Sequence, residues 1–252
     1  MTKYRVQNSV VALLAFACSL LLITTADLSR PTSPLSAQSE DLPIDNKTQA
    51  FQIISSELNN GIIKLSLRNG YSKAINGFTI GGSDTSGIQV DFTSTDSVIV
   101  PGEVYKYKIP SQSIQSVSGD VANKLKLKIL SVVFEDGTSD GDNRAAEQMK
   151  NRRRGEKVQL ARIISLLNRA LASSDSGTLD AIGRLKTQIS SLAVTPENGQ
   201  PAEIVGGLHH GKEDVLARIR ALEEKQKVQS DIDIRQALLK IKEQFEKKAA
   251  KL

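Results

Sequence analysis

The chain is most informative in what it lacks. It has one cysteine, two histidines, two methionines and no tryptophan in 252 residues, and aromatic side chains make up 4% of it. The lone cysteine, Cys18, lies inside an apolar run near the N-terminus. If that run is cleaved, the rest of the chain has no thiol and forms no disulfide, Cys-ligated metal site or Cys nucleophile. The scarcity of aromatics argues against stacking platforms for sugars or bases. With only His209 and His210 present, a Ser-His-Asp system has to be built on them, and no Gly-x-Ser-x-Gly elbow supplies its nucleophile.

What is present begins with an address. Lys3 and Arg5 precede the run Val10–Ile23, which thins into Thr24-Thr25-Ala26. A short basic segment followed by an apolar one has the form of a secretory signal. The run is shorter than the roughly 20 residues that span a bilayer comfortably. Thr24-x-Ala26 and the site at Ala37 both suit cleavage. An uncleaved anchor over residues 10–26, with its N-terminus held inside by Lys3 and Arg5, is the alternative. Either way the chain is expected to be exported, in the periplasm or outside the cell. A lipoprotein cysteine at Cys18 is disfavoured because the apolar run continues through Ser19-Leu20-Leu21-Leu22-Ile23.

Four segments follow from composition and periodicity: a signal or anchor over 1–26, a Pro/Ser-rich tether over 27–48, a β-sandwich over 49–138 and a helical region over 142–252. In the sandwich segment Ile63, Leu65 and Leu67 alternate with Lys64, Ser66 and Arg68, so one face is buried and the other wet. Asn59-Asn60-Gly61 supplies a hairpin turn. Short strands at such spacing, without a disulfide or core tryptophan, predict an immunoglobulin- or fibronectin-III-like sandwich rather than an antibody-type domain. From residue 143 the period becomes helical and the charge becomes basic, with 21 basic against 14 acidic residues. Helices are predicted over 142–173, 178–192, 211–228 and 230–250, forming a bundle or a pair of hairpins. The fold class is therefore α+β with separate sandwich and helical domains.

Several constellations deserve a chemical test. Gly206-Gly207-Leu208-His209-His210-Gly211-Lys212 has the glycine and lysine spacing of a phosphate-binding loop, but Glu213 stands where Ser or Thr must hold Mg²⁺. A Gly-rich connector leading into a helix is the expectation. Glu135, Asp136, Asp140 and Asp142 surround two glycines in an oxygen-rich turn and are weak calcium candidates. Asp-Gly is equally ordinary turn chemistry, and Asp142 is placed to cap the next helix. Lys150, Arg152, Arg153, Arg154 and Lys157 form the densest basic patch. A solvated helix face is the ordinary reading of such a cluster; as a binding patch after export, its partners would be anionic lipid or a negatively charged partner rather than nucleic acid. A scattered acid/base site on sandwich loops would draw on Asp91, Glu135 and Asp136.

The stretch from Ile129 through Val133-Phe134-Glu135-Asp136-Gly137-Thr138 to Asp142, running into Arg152-Arg153-Arg154-Gly155, resembles uncharacterised exported bacterial proteins. In these a sandwich strand ends in a Val-x-Phe-Glu-Asp-Gly-Thr turn followed by an Arg-rich helix. The resemblance implies an exported sandwich with helices and transfers no functional residue. No catalytic group and no cofactor is assigned. The expected role is a non-catalytic interaction or structural module, binding an envelope protein or polymer. The alternatives are a membrane-anchored protein whose basic helices contact anionic lipid, and an enzyme with carboxylates on sandwich loops.

Overall fold

The computed structural model describes residues 40–81, 87–93, 97–113, 127–195, 199–229 and 231–252. The apolar run at 10–26, the tether up to residue 39 and the predicted strand residues 124–126 lie outside the described residues. Among the described residues no helix is long and apolar enough to cross a membrane.

Strands precede helices, as the α+β expectation requires. Among the described residues nine strands come first: β1 (Glu40–Asp41), β2 (Ile44–Asn46), β3 (Phe51–Asn59), β4 (Ile62–Asn69), β5 (Ile75–Gly81), β6 (Ile88–Asp91), β7 (Val104–Pro110), β8 (Leu127–Phe134) and β9 (Ser139–Gly141). Four helices follow: α1 (Asn143–Ala172), α2 (Leu179–Ser191), α3 (Ala202–Val228) and α4 (Ile234–Lys251). One sheet runs β1-β3-β4-β7; the other runs β2-β8-β5-β6, with β9 also on β8. The hairpin β3-β4 belongs to the first sheet and the hairpin β5-β6 to the second. β7 then returns to pair with β4, and β8 with β5. Asn60 and Gly61, both at positive φ, close the first hairpin as the Asn-Asn-Gly signal predicts.

The alternating residues of β4 point inward as read, and Ile63, Leu65 and Leu67 share one core with Ile75, Phe78, Ile80, Leu127 and Ile129 of the opposite sheet. The few aromatics are concentrated there. Phe78 meets Phe51 edge-on at 5.3 Å between centroids, and Tyr105 and Tyr107 reach it from β7 at 6.1 and 5.9 Å. Such edge-to-face contacts add to the burial of each ring.

Three expectations need correction. The tether does not extend to residue 48. Leu42 is buried, its amide donates to the Ser56 carbonyl, and Ile44 pairs in parallel with Leu127. Two apolar residues flanking Pro43 give no readable period, and their partners are distant in sequence. The run Ser97-Val98-Ile99-Val100 reads in the sequence as a further short strand, but pairs only through a single bridge between Ile99 and Ile75. Nor do the described strands and helices separate into two units; they fall in one compact unit.

α1 is what joins them. Its first turns put Ala146 and Met149 on Val133 of β8, while Leu160, Ile163, Leu166 and Leu167 enter a second core with side chains of α2, α3 and α4. A helix of 30 residues is about 45 Å long, enough to serve both cores.

α3 also differs from expectation, beginning at Ala202 rather than near residue 211. The glycines that suggested a connector lie within the helix. Each costs about 1 kcal/mol relative to alanine in a helix interior, so intrinsic preference opposes the observed state. Packing on α1 overrides it. A Cβ at Gly207 would fall inside the Arg152 carbonyl oxygen, one at Gly155 inside that of Ile204, and one at Gly211 would sit 3.3 Å from the Glu156 carbonyl oxygen. α1 and α3 therefore touch main chain to main chain.

Candidate functional site

The acidic turn is spoken for, one carboxylate at a time. Asp136 accepts hydrogen bonds from the Thr138 amide and hydroxyl at 3.0 and 2.6 Å and pairs with Lys73 at 2.8 Å. Asp140 accepts from the Gln49 and Ala50 amides at 2.7 and 2.8 Å, tying β9 to the start of β3. Asp142 caps α1, accepting from the Arg144 and Ala145 amides at 2.8 and 3.1 Å. Glu135 lies exposed at the turn. The four weak calcium candidates thus face separate tasks. Among the described residues no three His, Asp or Glu side chains gather where a metal would sit.

The basic patch is divided in a similar way. Arg153 is not on the surface: it is 6% exposed and turned into the sandwich. Its Nε and Nη2 donate to the two carboxylate oxygens of Asp91 at 3.0 and 3.1 Å, while Nη1 and Nη2 donate to the Asn76 side-chain and main-chain oxygens at 3.0 and 3.1 Å. Gly77 makes room, since a Cβ there would lie 2.6 Å from the guanidinium and 2.9 Å from the Met149 sulfur. Burial drives the Asp91 carboxyl upward, but the hydrogen bond and charge of Arg153, with help from Thr93, more than offset it and leave the group below its usual range. Of the others, Arg152 reaches Gln89 at 3.5 Å, Lys150 pairs with Glu147 at 3.3 Å, and Arg154 donates to Asn151 at 3.0 Å. Lys157 is exposed.

Asp91 and Asp136, named above as acid/base candidates, are both held ionised. Hydrogen bonds from Lys73 and Thr138 lower the Asp136 carboxyl well below the ordinary range. Proton delivery near neutral pH is served by a raised carboxyl pKa, the reverse of this arrangement.

A third polar cluster was not foreseen. Lys248 of α4 is 6% exposed and meets Glu156 of α1 at 2.6 Å and Asp214 of α3 at 2.9 Å. Desolvation pulls the ammonium pKa down, yet the hydrogen bonds and charges of the two carboxylates outweigh it and leave it raised. His210 lies on the exposed side of the same cluster, 3.7 Å from Glu156. The cluster ties three helices together. In the sequence these residues look like ordinary members of charged helix faces, and only the close approach at Gly155, Gly207 and Gly211 turns them inward.

A further accessible group lies on the outer face of the β1-β3-β4-β7 sheet. Cross-strand partners share a face, so the pairs Lys64–Lys108, Ser66–Lys106 and Arg68–Val104 place Lys64, Arg68, Lys106 and Lys108 side by side. All four are exposed, and among the described residues none has an ion-pair partner. Ile62 and Val104, 41% and 37% exposed, stand on the same face. Of the acids on this face, Glu57 of β3 is the register partner of Lys64 without forming an ion pair with it, and Asp41 of β1 lies at the far edge. The alternation in β4 signalled a wet face; its charge emerges only when β7 is paired beside it.

No family model, no curated protein and no solved structure matches this chain.

Proposed function

We propose that the chain is an exported cell-envelope protein whose sandwich and helices form a non-catalytic interaction module, and that it binds through the outer face of the β1-β3-β4-β7 sheet. The observation that carries this reading is the exposed group of four cations on two neighbouring strands, none of which forms an ion pair among the described residues. Asp136, Asp140, Asp142, the Arg153–Asp91 pair and the Lys248 cluster serve the fold, as turn locks, a cap and buried pairs.

An immunoglobulin- or fibronectin-III-like assignment belongs to the same proposal. Leaving aside the short β1 and β2, β3, β4 and β7 face β6, β5, β8 and β9. This is the order in which the first, second and fifth strands of a seven-stranded sandwich oppose the other four, and it supports that assignment. Modules of this architecture commonly present a sheet face or loop ends to partners, and fold alone assigns no activity.

The test has two parts. Fractionation with N-terminal sequencing should find the chain in the envelope, beginning near Asp27, near Gln38 or at Met1. Recovery in the cytosol sinks the export reading. Immobilised protein should enrich an envelope component that a variant with Lys64, Arg68, Lys106 and Lys108 changed to Gln does not. Equal enrichment by both removes the sheet face from the proposal.

A further inference from the structure

We infer that the β4–β7 half of the outer sheet face docks on an anionic lipid surface. The inference rests on the envelope reading above and on the membrane-directed character of residues 10–26, and it names the partner for that face.

Lys64 and Lys108 are directly opposite one another on adjacent antiparallel strands. Like charges in that position destabilise a sheet. Glu57, the partner of Lys64 on its other side, forms no ion pair with it among the described residues. Lys106 adds a third cation one step along β7, and Arg68 a fourth on β4. Residues two apart on a strand are separated by about 6.7 Å and neighbouring strands by about 4.8 Å, so the four charges occupy a small flat area. An external array of anions relieves this repulsion all at once, as a lipid headgroup layer does. Ile62 and Val104, on the same face, add apolar contacts of the kind that an interfacial site uses alongside its cations.

Chain connectivity favours lipid over a soluble polyanion. Thirteen residues, 27–39, separate the apolar run from β1, and β1 belongs to the sheet in question. Even fully extended, they reach about 45 Å. With the run in a bilayer, the sheet remains within that distance of the headgroups. The acids Asp41 and Glu57 lie on the β1–β3 side, so the contacting half is β4–β7.

The test uses the full chain with Cys18→Ser, carrying an environment-sensitive nitrobenzoxadiazole label at Ser66→Cys on the proposed face, or at Glu224→Cys on α3 as a control. The protein is reconstituted with phosphatidylcholine vesicles, with or without phosphatidylglycerol. The expected result is a blue-shifted rise at position 66 only with phosphatidylglycerol, reversed by high salt, with no response at position 224. Changing Lys106 and Lys108 to Gln should lower the docking equilibrium about thirtyfold, which corresponds to ~1 kcal/mol per cation at an anionic surface. Both lysines are exposed, and an unchanged circular dichroism spectrum establishes that the variant is folded. An equal response on neutral vesicles, or one indifferent to the two substitutions, overturns the inference. So does a response to a soluble anionic polysaccharide with none to phosphatidylglycerol, which makes the partner a polymer. If the full chain does not float with neutral vesicles, the anchoring reading fails on its own. The same label then reports docking from solution, and silence on phosphatidylglycerol vesicles overturns the surface itself.

Discussion

Arg153 of α1 and Asp91 of β6 form a two-pronged ion pair at the junction of the sheets and the helices, with Arg153 6% exposed. Removing one partner of a buried pair leaves an uncompensated charge, at a cost of about 3–5 kcal/mol. Arg153→Met and Asp91→Asn should each destabilise the protein by about 3 kcal/mol, the lower end, because Asp91 retains some solvent contact. The double variant should lose clearly less than the sum. Denaturant unfolding of all four proteins gives the coupling, and strict additivity would refute the pair. Arg153→Lys should not rescue it, because an ammonium cannot reproduce the planar fork.

The α1–α3 seam separates neighbouring glycines. Alanine at Gly206 meets nothing within 4 Å. It should stabilise the protein by roughly 0.5–1 kcal/mol through helix preference alone. Alanine at Gly207 must push against the Arg152 carbonyl. It should destabilise by about 1–3 kcal/mol, as overpacking does. Thermal melts of the two variants should move in opposite directions, and a shared direction would contradict the described seam.

Stability should fall off at both ends of the pH scale, for different reasons. The Asp91 carboxyl is held below its usual range in the folded state. Its contribution is therefore present above about pH 4 and is lost as pH falls through the lower folded value. The Lys248 ammonium is held above its usual range. Its contribution is complete below about pH 10.4 and is lost as pH rises through the folded value. Melting temperature against pH should show an acid limb made shallower by Asp91→Asn and an alkaline limb made shallower by Lys248→Met. Limbs unchanged by these substitutions would assign the titrations elsewhere.

The acidic turn should be indifferent to calcium. Asp140→Ala removes a charged acceptor from two main-chain amides and should cost about 1.5–3 kcal/mol. Asp142→Ala removes the α1 cap at about 1 kcal/mol. Both losses should be the same with and without calcium, read by thermal shift. A calcium-dependent rise in the melting temperature of the unsubstituted protein would reinstate the turn as a cation site.

Lys108→Gln should raise stability slightly, by about 0.2–1 kcal/mol, because it relieves the like-charge pair with Lys64. A surface lysine whose removal helps the fold is one whose retention calls for a reason outside the fold. If the melt instead drops, Lys64 and Lys108 do not repel as their register implies.

The sequence was most legible where structure is local. α1 coincides with its predicted span almost residue for residue, because a helical stripe, an aspartate cap and a preceding Asp-Gly turn all agree. The β3-β4 hairpin was readable from two alternating runs around Asn-Asn-Gly. Non-local pairings left little trace: β2 depends on β8, some eighty residues later, and two apolar side chains around a proline carry no period. The site residues followed the same rule. Arg153 is one of three consecutive arginines, and nothing along the chain distinguishes the one facing Gly77 and Asp91 from its neighbours. Lys106 and Lys108 join Lys64 and Arg68 only when β4 is laid beside β7, a pairing that the sequence does not display. The glycines of α3 were misread because propensity describes an isolated helix, whereas their value lies in what they allow a second helix to do.

The backbone contact between α1 and α3 also fixes an alignment. Side chains that interdigitate can repack when two helices slide, but carbonyl oxygens resting against bare Cα atoms cannot. A shift of one residue along the seam would bring Arg154 or Glu156 under Ile204 in place of Gly155, each with a Cβ for which the contact leaves no room. The two helices therefore have one setting, and α1 carries that setting into the sheets through Arg153. The helical half is indexed to the sandwich like a keyed shaft, so the orientation of the cationic face relative to the four helices is built in rather than adjustable.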